Sequence, residues 1–325
     1  MSTDVTTPVP AATPAPGPDR PGRRERFALL RSRADAKVSP YAYIAPFFVL
    51  FGIFGLYPLV YTAWVSLHDW ELASAEHPWS GLDNYRQLVT DPVFWNALGN
   101  TAGMFVLATV PQLALAMFLA SLLNRRLRGR TFFRLSVILP MATSVAAVSI
   151  VFSQLFSRDF GIINWVLGGV GVHPIEWQAT KWSSWSAIAL MVNWRWTGYN
   201  ALIYLAGMQS IPGDLYEAAE LDGASRWRQF LHVTLPGLRP TILFTIVVST
   251  IGATQLFGEP LLFEGSISGG ISHQYQTLGL YMYEQGWSFF HLGRAAAVAW
   301  VMFLLIVLLA LANAAIAARR NRTDR

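Results

Sequence analysis

Four side chains between residues 182 and 207 share one helical register. Asn193, Trp196, Thr197 and Asn200 fall at i, i+3, i+4 and i+7. Amide, hydroxyl and indole groups on one face suit a polyhydroxylated ligand such as a sugar: the polar groups bond to its hydroxyls and the ring packs on its apolar face. The same spacing also serves helix–helix packing, with Gly198 admitting a close neighbour and Trp196 filling space. Arg195 lies near the middle of this stretch. Facing lipid, it would cost at least ~2.5–3.5 kcal/mol, so it is expected to face a bundle interior, a cavity or a partner. Further along, Gly252, Gln255 and Glu259 share a face by the same spacing. Asn193, Trp196, Thr197, Asn200, Gln255 and Glu259 are therefore the candidates to line a route through the protein.

Other chemistries are excluded by what is missing. There is no cysteine, hence no disulfide and no thiolate metal site. The two lysines, Lys37 and Lys181, have neither a preceding glycine nor a following serine or threonine, so no phosphate-binding Walker loop exists. The six histidines form no HExxH pair and no G-x-S-x-G occurs. No catalytic residue, no metal site and no cofactor is expected on this chain.

The second informative stretch, residues 211–240, is polar between apolar flanks. Pro212 sets a helix start, and Asp214 with Glu217 has the spacing of a capping box. Gly223 is placed to end that helix in the left-handed region. Ser225 can cap a second short helix carrying Trp227, Phe230 and Leu231, which Pro236 stops. Leu215, Ala218, Ala219 and Asp222 share a face whose small side chains permit close approach by another protein, and Asp214, Glu217 and Glu220 make the helix start acidic. Connections in helical bundles usually take about 2–8 residues, so a structured segment of this length is more than closure needs.

These groups are positioned by long apolar stretches. The chain of 325 residues is 53% hydrophobic and only 13% charged, against roughly 25% charged in soluble domains. Six stretches reach or approach the ~20 residues that span a bilayer: Val38–His68, Pro92–Asn124, Leu135–Ser157, Trp182–Gly207, Pro240–Gly258 and Ala295–Ala318. Pro140 is expected to kink the third. Before them, residues 1–38 carry six prolines between Pro8 and Pro21, read as a disordered tail with no cleaved signal peptide. Of the 24 arginines and lysines, 19 lie in the tail, the 124–134 loop, the 211–240 loop and the C-terminus. The positive-inside rule therefore places both termini and the 211–240 loop in the cytoplasm of a multi-pass plasma-membrane protein. The net charge of +5 reflects that topology, not a nucleic-acid-binding face.

Glu217-Ala218-Ala219, Asp222-Gly223-Ala224, Phe230, Leu235-Pro236 and Pro240 resemble the EAA loop of ABC importer permeases. Arg134 with Leu139-Pro140, Gly161 with Asn164, and Trp196 through Asn200 leading into Ala206-Gly207 and Ile211-Pro212 resemble the sugar-type branch. The stretches Phe257–Pro260, Gln276–Gly279 and Gly293–Ala296 look like its cellobiose or β-oligosaccharide members in actinobacteria; Gly269-Gly270 lacks the proline many sugar permeases place next. The resemblance implies an all-α, six-span permease of the type I ABC importer fold: a first span at 39–68, an external loop at 69–97, a core at 98–318 and a cytoplasmic C-terminal tail at 319–325. It implies ATPase coupling through Tyr216, Glu217, Ala218, Ala219, Asp222, Gly223, Ala224, Phe230, Leu235 and Pro236. It also implies a second, different permease subunit, a cytoplasmic ATPase dimer, an extracellular or periplasmic sugar-binding protein, and membrane lipid around the spans. The alternative is a secondary transporter driven by an ion gradient. Against it, no internal repeat is visible and acidic residues within spans are scarce.

Overall fold

The computed structural model describes residues 39–125 and 128–323, with side chains as far as residue 315. The expected tail at 1–38 lies outside the described residues. Among the described residues there is no strand, only isolated bridges between His68 and Trp79 and between Glu71 and His291.

The chain divides into two units at Val60, inside helix α1, Ser39–Ser66. In the first unit the large apolar side chains from Tyr41 to Val60 are exposed, as suits a helix solvated by lipid. The second unit holds the remaining helices: α2 Asp83–Thr90, α3 Pro92–Leu123, α4 Arg130–Ala142, α5 Val145–Leu155, α6 Ile162–Gly169 and α7 Lys181–Gln209. They continue as α8 Gly213–Leu221, α9 Arg226–Gly237, α10 Arg239–Thr254, α11 Gly258–Glu264, α12 Leu278–Tyr283 and α13 Leu292–Thr323. Helix α3 begins inside the stretch expected as an external loop, because Asp91 caps it by accepting from the Val93 amide at 2.8 Å.

The centre of the second unit is the pair α3 and α7. Small side chains let them approach: Ala116, Ala120 and Ala201 are fully buried, beside Tyr204 and Leu238. Towards the other end Met104, Trp185, Ile188 and Met191 pack with Val148 and Phe152 of α5. A third cluster joins the start of α3 to α12 and α13 through Phe94, Ala97, Tyr281, Ala297 and Val298. Gly198 shows how tight this packing is. A Cβ there would lie 1.7 Å from the Val137 carbonyl oxygen of α4.

Among the described residues three helices are long and apolar enough to cross a membrane, α1, α3 and Leu292–Ala315 of α13, or up to five if two bent pairs each count as a span. The stretch Trp182–Gly207 lies in α7, which has 29 residues but is not among them; its tryptophans, serines, asparagines and Arg195 lower its mean hydropathy. The third expected span, Leu135–Ser157, is not one kinked helix. It is α4 and α5, bent by 92°. Pro140 stays inside α4, and the break falls at Thr143, whose backbone is extended at φ −78°, ψ 148° and whose hydroxyl bonds the Pro140 carbonyl. The other bent pair is α9 and α10, at 66°.

Candidate functional site

A cavity of about 530 Å³ lies between α3, α7, α10 and α11. From α7 it is lined by Val192, Arg195, Trp196, Tyr199 and Asn200. This is a single face at i, i+3, i+4, i+7 and i+8. From α3 come Thr109 and Gln112, and from α10 onward Ser249, Gly252, Gln255 and Glu259. The face differs from the expected one by about one residue of rotation. Trp196 and Asn200 are on the cavity; Asn193 and Thr197 are not. Those two line a separate apolar recess against α4 and α5, with Pro140, Val148 and Phe152. There the Thr197 hydroxyl bonds back to the Asn193 carbonyl of its own helix at 2.6 Å. The two small polar side chains therefore sit beside Gly198, at the packing seam.

Gln255 and Glu259 do reach the cavity, though not as one helical face. Helix α10 ends at Thr254, Gln255 is its C-cap at φ −96°, ψ 14°, and α11 begins only at Gly258. The break is held from outside, since Thr277 Oγ1 donates to the Leu256 carbonyl at 2.7 Å. It brings Glu259 to Arg195, whose Nη1 donates to Glu259 Oε1 at 2.9 Å. Both side chains are largely buried, 12% and 8% exposed. The Arg195 guanidinium also lies 5.6 Å from the centre of the Trp196 ring. The mid-span arginine thus faces the interior, as its desolvation cost requires. Thr109, Gln112, Tyr199 and Ser249 were not singled out from the sequence. The signal for Gln112 was available: it is a polar residue in the long apolar run 92–124, directly after Pro111.

At one end of this unit the loop 265–277 is fastened to α3 by side-chain amides. Asn96 and Asn100 donate to the His273 carbonyl at 2.7 and 2.8 Å, and Asn100 also donates to the Gln276 carbonyl at 2.9 Å. Gln276 Nε2 in turn donates to Glu284 at 2.6 Å. The Tyr275 hydroxyl donates to Glu264 at 2.6 Å, and burial pushes that phenol well above its ordinary range.

The 211–240 stretch forms the expected elbow, with two changes. Helix α8 has Pro212 at its N-cap and no side-chain cap, so the Asp214–Glu217 capping box is not made. Helix α9 does not stop at Pro236: it passes through a π-turn at Phe230–Thr234 and ends at Gly237. The turn between them is as expected. Gly223 has φ +73°, its amide bonds the Glu220 carbonyl at 3.0 Å and the Ala224 amide bonds the Ala219 carbonyl at 2.9 Å, the two bonds of a Schellman motif. Ser225 caps α9 at the Arg228 amide, 3.5 Å away. Glu217, Ala218, Asp222, Gly223 and Leu235 are exposed; Ala219, Ala224 and Pro236 are half-buried. Tyr216 reaches back to Thr234, 3.0 Å between oxygens, and Phe230 packs on the Ala116–Leu238 core. The elbow is therefore anchored on one side and open on the other, with Leu221 91% and Trp227 66% exposed.

Residues 112–322, which contain the elbow and most of the cavity, match the family described as binding-protein-dependent transport system inner membrane component. The chain belongs to this family. The permease is 38% identical over 277 residues to the lactose transport system permease protein LacF of Rhizobium radiobacter, covering 84% of this chain and 91% of that one. It is 34% identical over 278 residues to the arabinooligosaccharides transport system permease protein AraP of Halalkalibacterium halodurans, covering 85% and 86%. The trehalose/maltose transport system permease protein MalF of Thermococcus litoralis is 31% identical over 267 residues, covering 82% and 89%. The fold of this chain is that of a chain in a bacterial alginate ABC transporter solved in complex with an alginate pentasaccharide-bound periplasmic protein, with TM-score 0.74, 21% identity and coverage of 88% of this chain and 96% of that chain.

Proposed function

We propose that the permease carries a sugar or oligosaccharide through the cavity between α3, α7, α10 and α11, as one half of an ATP-driven importer. The observation that carries this reading is the composition of that cavity. An aromatic face, Trp196 with Tyr199, stands beside uncharged hydrogen-bonding groups, Thr109, Gln112, Asn200, Ser249 and Gln255, in a wall that is otherwise apolar except for the paired Arg195 and Glu259. That combination suits a molecule with hydroxyls on its rim and C–H groups on its faces. The relatives named for lactose, arabino-oligosaccharides and trehalose or maltose support the substrate class.

In this reading a second permease completes the pathway and an external binding protein delivers the sugar. A cytoplasmic ATPase dimer receives the elbow through Glu217, Ala218, Asp222 and the exposed Leu221 and Trp227. The permease itself is non-catalytic. Both termini and the elbow lie in the cytoplasm, and α4 with α5, α7 and α10 join α1, α3 and α13 to make six spans. ATP binding closes the ATPases, the elbow moves with them, and the spans turn from inward- to outward-facing. Coupling requires that the two arrangements differ in free energy with and without nucleotide.

The test is uptake by the reconstituted complex with its binding protein, using radiolabelled lactose, arabinotriose and cellobiose in turn. Cellobiose is included because of the Phe257–Pro260 resemblance. Uptake of at least one sugar should need ATP and persist when ion gradients are dissipated. Uptake that follows an ion gradient without ATP would overturn the reading.

A further inference from the structure

Two of the residues lining the cavity carry charge, and they cancel each other. Arg195 and Glu259 meet through the single contact between Nη1 and Oε1 at 2.9 Å. They come from different elements, α7 and α11, and Glu259 reaches Arg195 only because α10 breaks at Gln255. Arg195 has donor capacity beyond this contact: its Nε is buried and has no hydrogen-bond partner. A guanidinium with one carboxylate contact and an orphan donor is an anion site already occupied by the protein's own anion.

We propose that Glu259 makes the cavity selective for uncharged sugars by occupying Arg195. This inference rests on the reading of the cavity as the sugar route. A neutral sugar finds amide, hydroxyl and indole groups that both donate and accept, and needs no counter-charge. A sugar carboxylate entering the same space finds no free cation among the lining residues. It could pair with Arg195 only by displacing Glu259, and so leaving a second carboxylate buried without a partner. The two side chains are too buried for water to screen that conflict. Without Glu259, Arg195 becomes an unpaired cation in a cavity large enough for sugar units.

The experiment measures retention of labelled sugars by the whole complex in lipid nanodiscs. A non-hydrolysable ATP analogue holds the complex, and the binding protein is omitted so that its own selectivity does not enter. The probes are lactose, arabinotriose and cellobiose as neutral sugars and trigalacturonate as the anion. Wild type should retain at least one neutral probe and at least about tenfold less trigalacturonate. Glu259→Gln should raise the uronate-to-neutral ratio by at least about tenfold, a shift of 1.4 kcal/mol in relative affinity. The double variant Arg195→Gln/Glu259→Gln should abolish the gained uronate retention. If Glu259→Gln does not assemble, Glu259→Asp keeps the charge but pulls it back by one methylene, and a severalfold rise in the ratio is expected. A purely structural pair would lower retention of every probe together and leave the ratio unmoved. An unchanged ratio in the assembled variant, or wild-type trigalacturonate retention equal to the best neutral probe, overturns the proposal. Trp196→Ala and Asn200→Ala separate its failure from that of the route itself. If neither lowers neutral-sugar retention, or if no neutral probe binds, the route reading falls and the selectivity claim falls with it.

Discussion

The consequences of single residues are most direct on α7, where adjacent positions face different surroundings. Trp196 presents a ring to the cavity and to Arg195, whereas Gly198 touches the Val137 carbonyl of α4. Trp196→Ala should lower sugar uptake while assembly is retained, and Trp196→Phe should be milder because the aromatic face remains. Uptake and gel-filtration profiles compared side by side decide this; loss of assembly on Trp196→Ala, restored by Phe, would make the ring a packing element. Gly198→Ala should do the opposite and destabilise the fold. Its Cβ has no space, and overpacking of this kind costs typically ~1–3 kcal/mol, so the thermal midpoint in detergent should fall. Gly223 differs again. A Cβ there meets nothing within 4 Å, so the cost is the left-handed backbone alone, ~1–2 kcal/mol. Gly223→Asp and Glu217→Ala are expected to insert normally but to lose ATPase subunits or uncouple hydrolysis from uptake. Loss of one partner from a buried charged contact costs about 2–5 kcal/mol. Wild-type subunit retention and uptake in both variants would remove the elbow from the coupling role. Gln255 and Glu259 reach the cavity through the break after Thr254, which spacing did not show, but Trp196 and Asn200 were legible because a rotation of one residue still leaves them on the cavity. Asn193 and Thr197 were not, because a face defined by four residues cannot tell which flank a neighbouring helix will cover.

Among the elements, breaks were harder to read than helices. Pro140 suggested a kink in a continuous third span, and it is tolerated inside α4 while the chain turns by 92° three residues later. The turn depends on Thr143 taking an extended backbone, a residue with no strong breaker signature. Likewise nothing in Thr254-Gln255-Leu256 announces the end of α10; the acceptor that stabilises it is satisfied by Thr277, about twenty residues away. Such long-range satisfaction of backbone groups is invisible to local spacing. The connection after α5 shows the same principle in one residue. Asn164 is 5% exposed and donates to the carbonyls of Arg158 and Ile175, while its oxygen accepts from the Ile175 amide and the Trp177 indole. Asn164→Ala would orphan several buried groups at about 1–3 kcal/mol each. Residues 158–180 should then open to trypsin at Arg158, with cleavage accelerated by at least about tenfold; unchanged cleavage kinetics would show that water replaces the amide without loss.

For the whole molecule, the charge count predicts the orientation and the absence of cysteine makes it measurable, since any introduced thiol is the sole one. A cysteine at Ser225 should react only with reagents that reach the cytoplasm, and one at Ser80 from outside; labelling of Ser225 in intact cells by an impermeant maleimide would invert the topology. The fastening of the loop 265–277 has a further consequence. Asn100 holds the Gln276 carbonyl, Thr101 accepts from the Leu278 amide at 2.9 Å, and Thr277 holds the Leu256 carbonyl. Three consecutive residues thus tie α3 to the break that presents Glu259. If α3 tilts in the proposed transport cycle, the break would travel with it, and the cavity wall would keep its shape while its direction changes. The loop then behaves as a crossbar, and its amides report rigidity: Leu278 should exchange with deuterium as slowly in the nucleotide-bound complex as in the free one, even as the helices around it change partners.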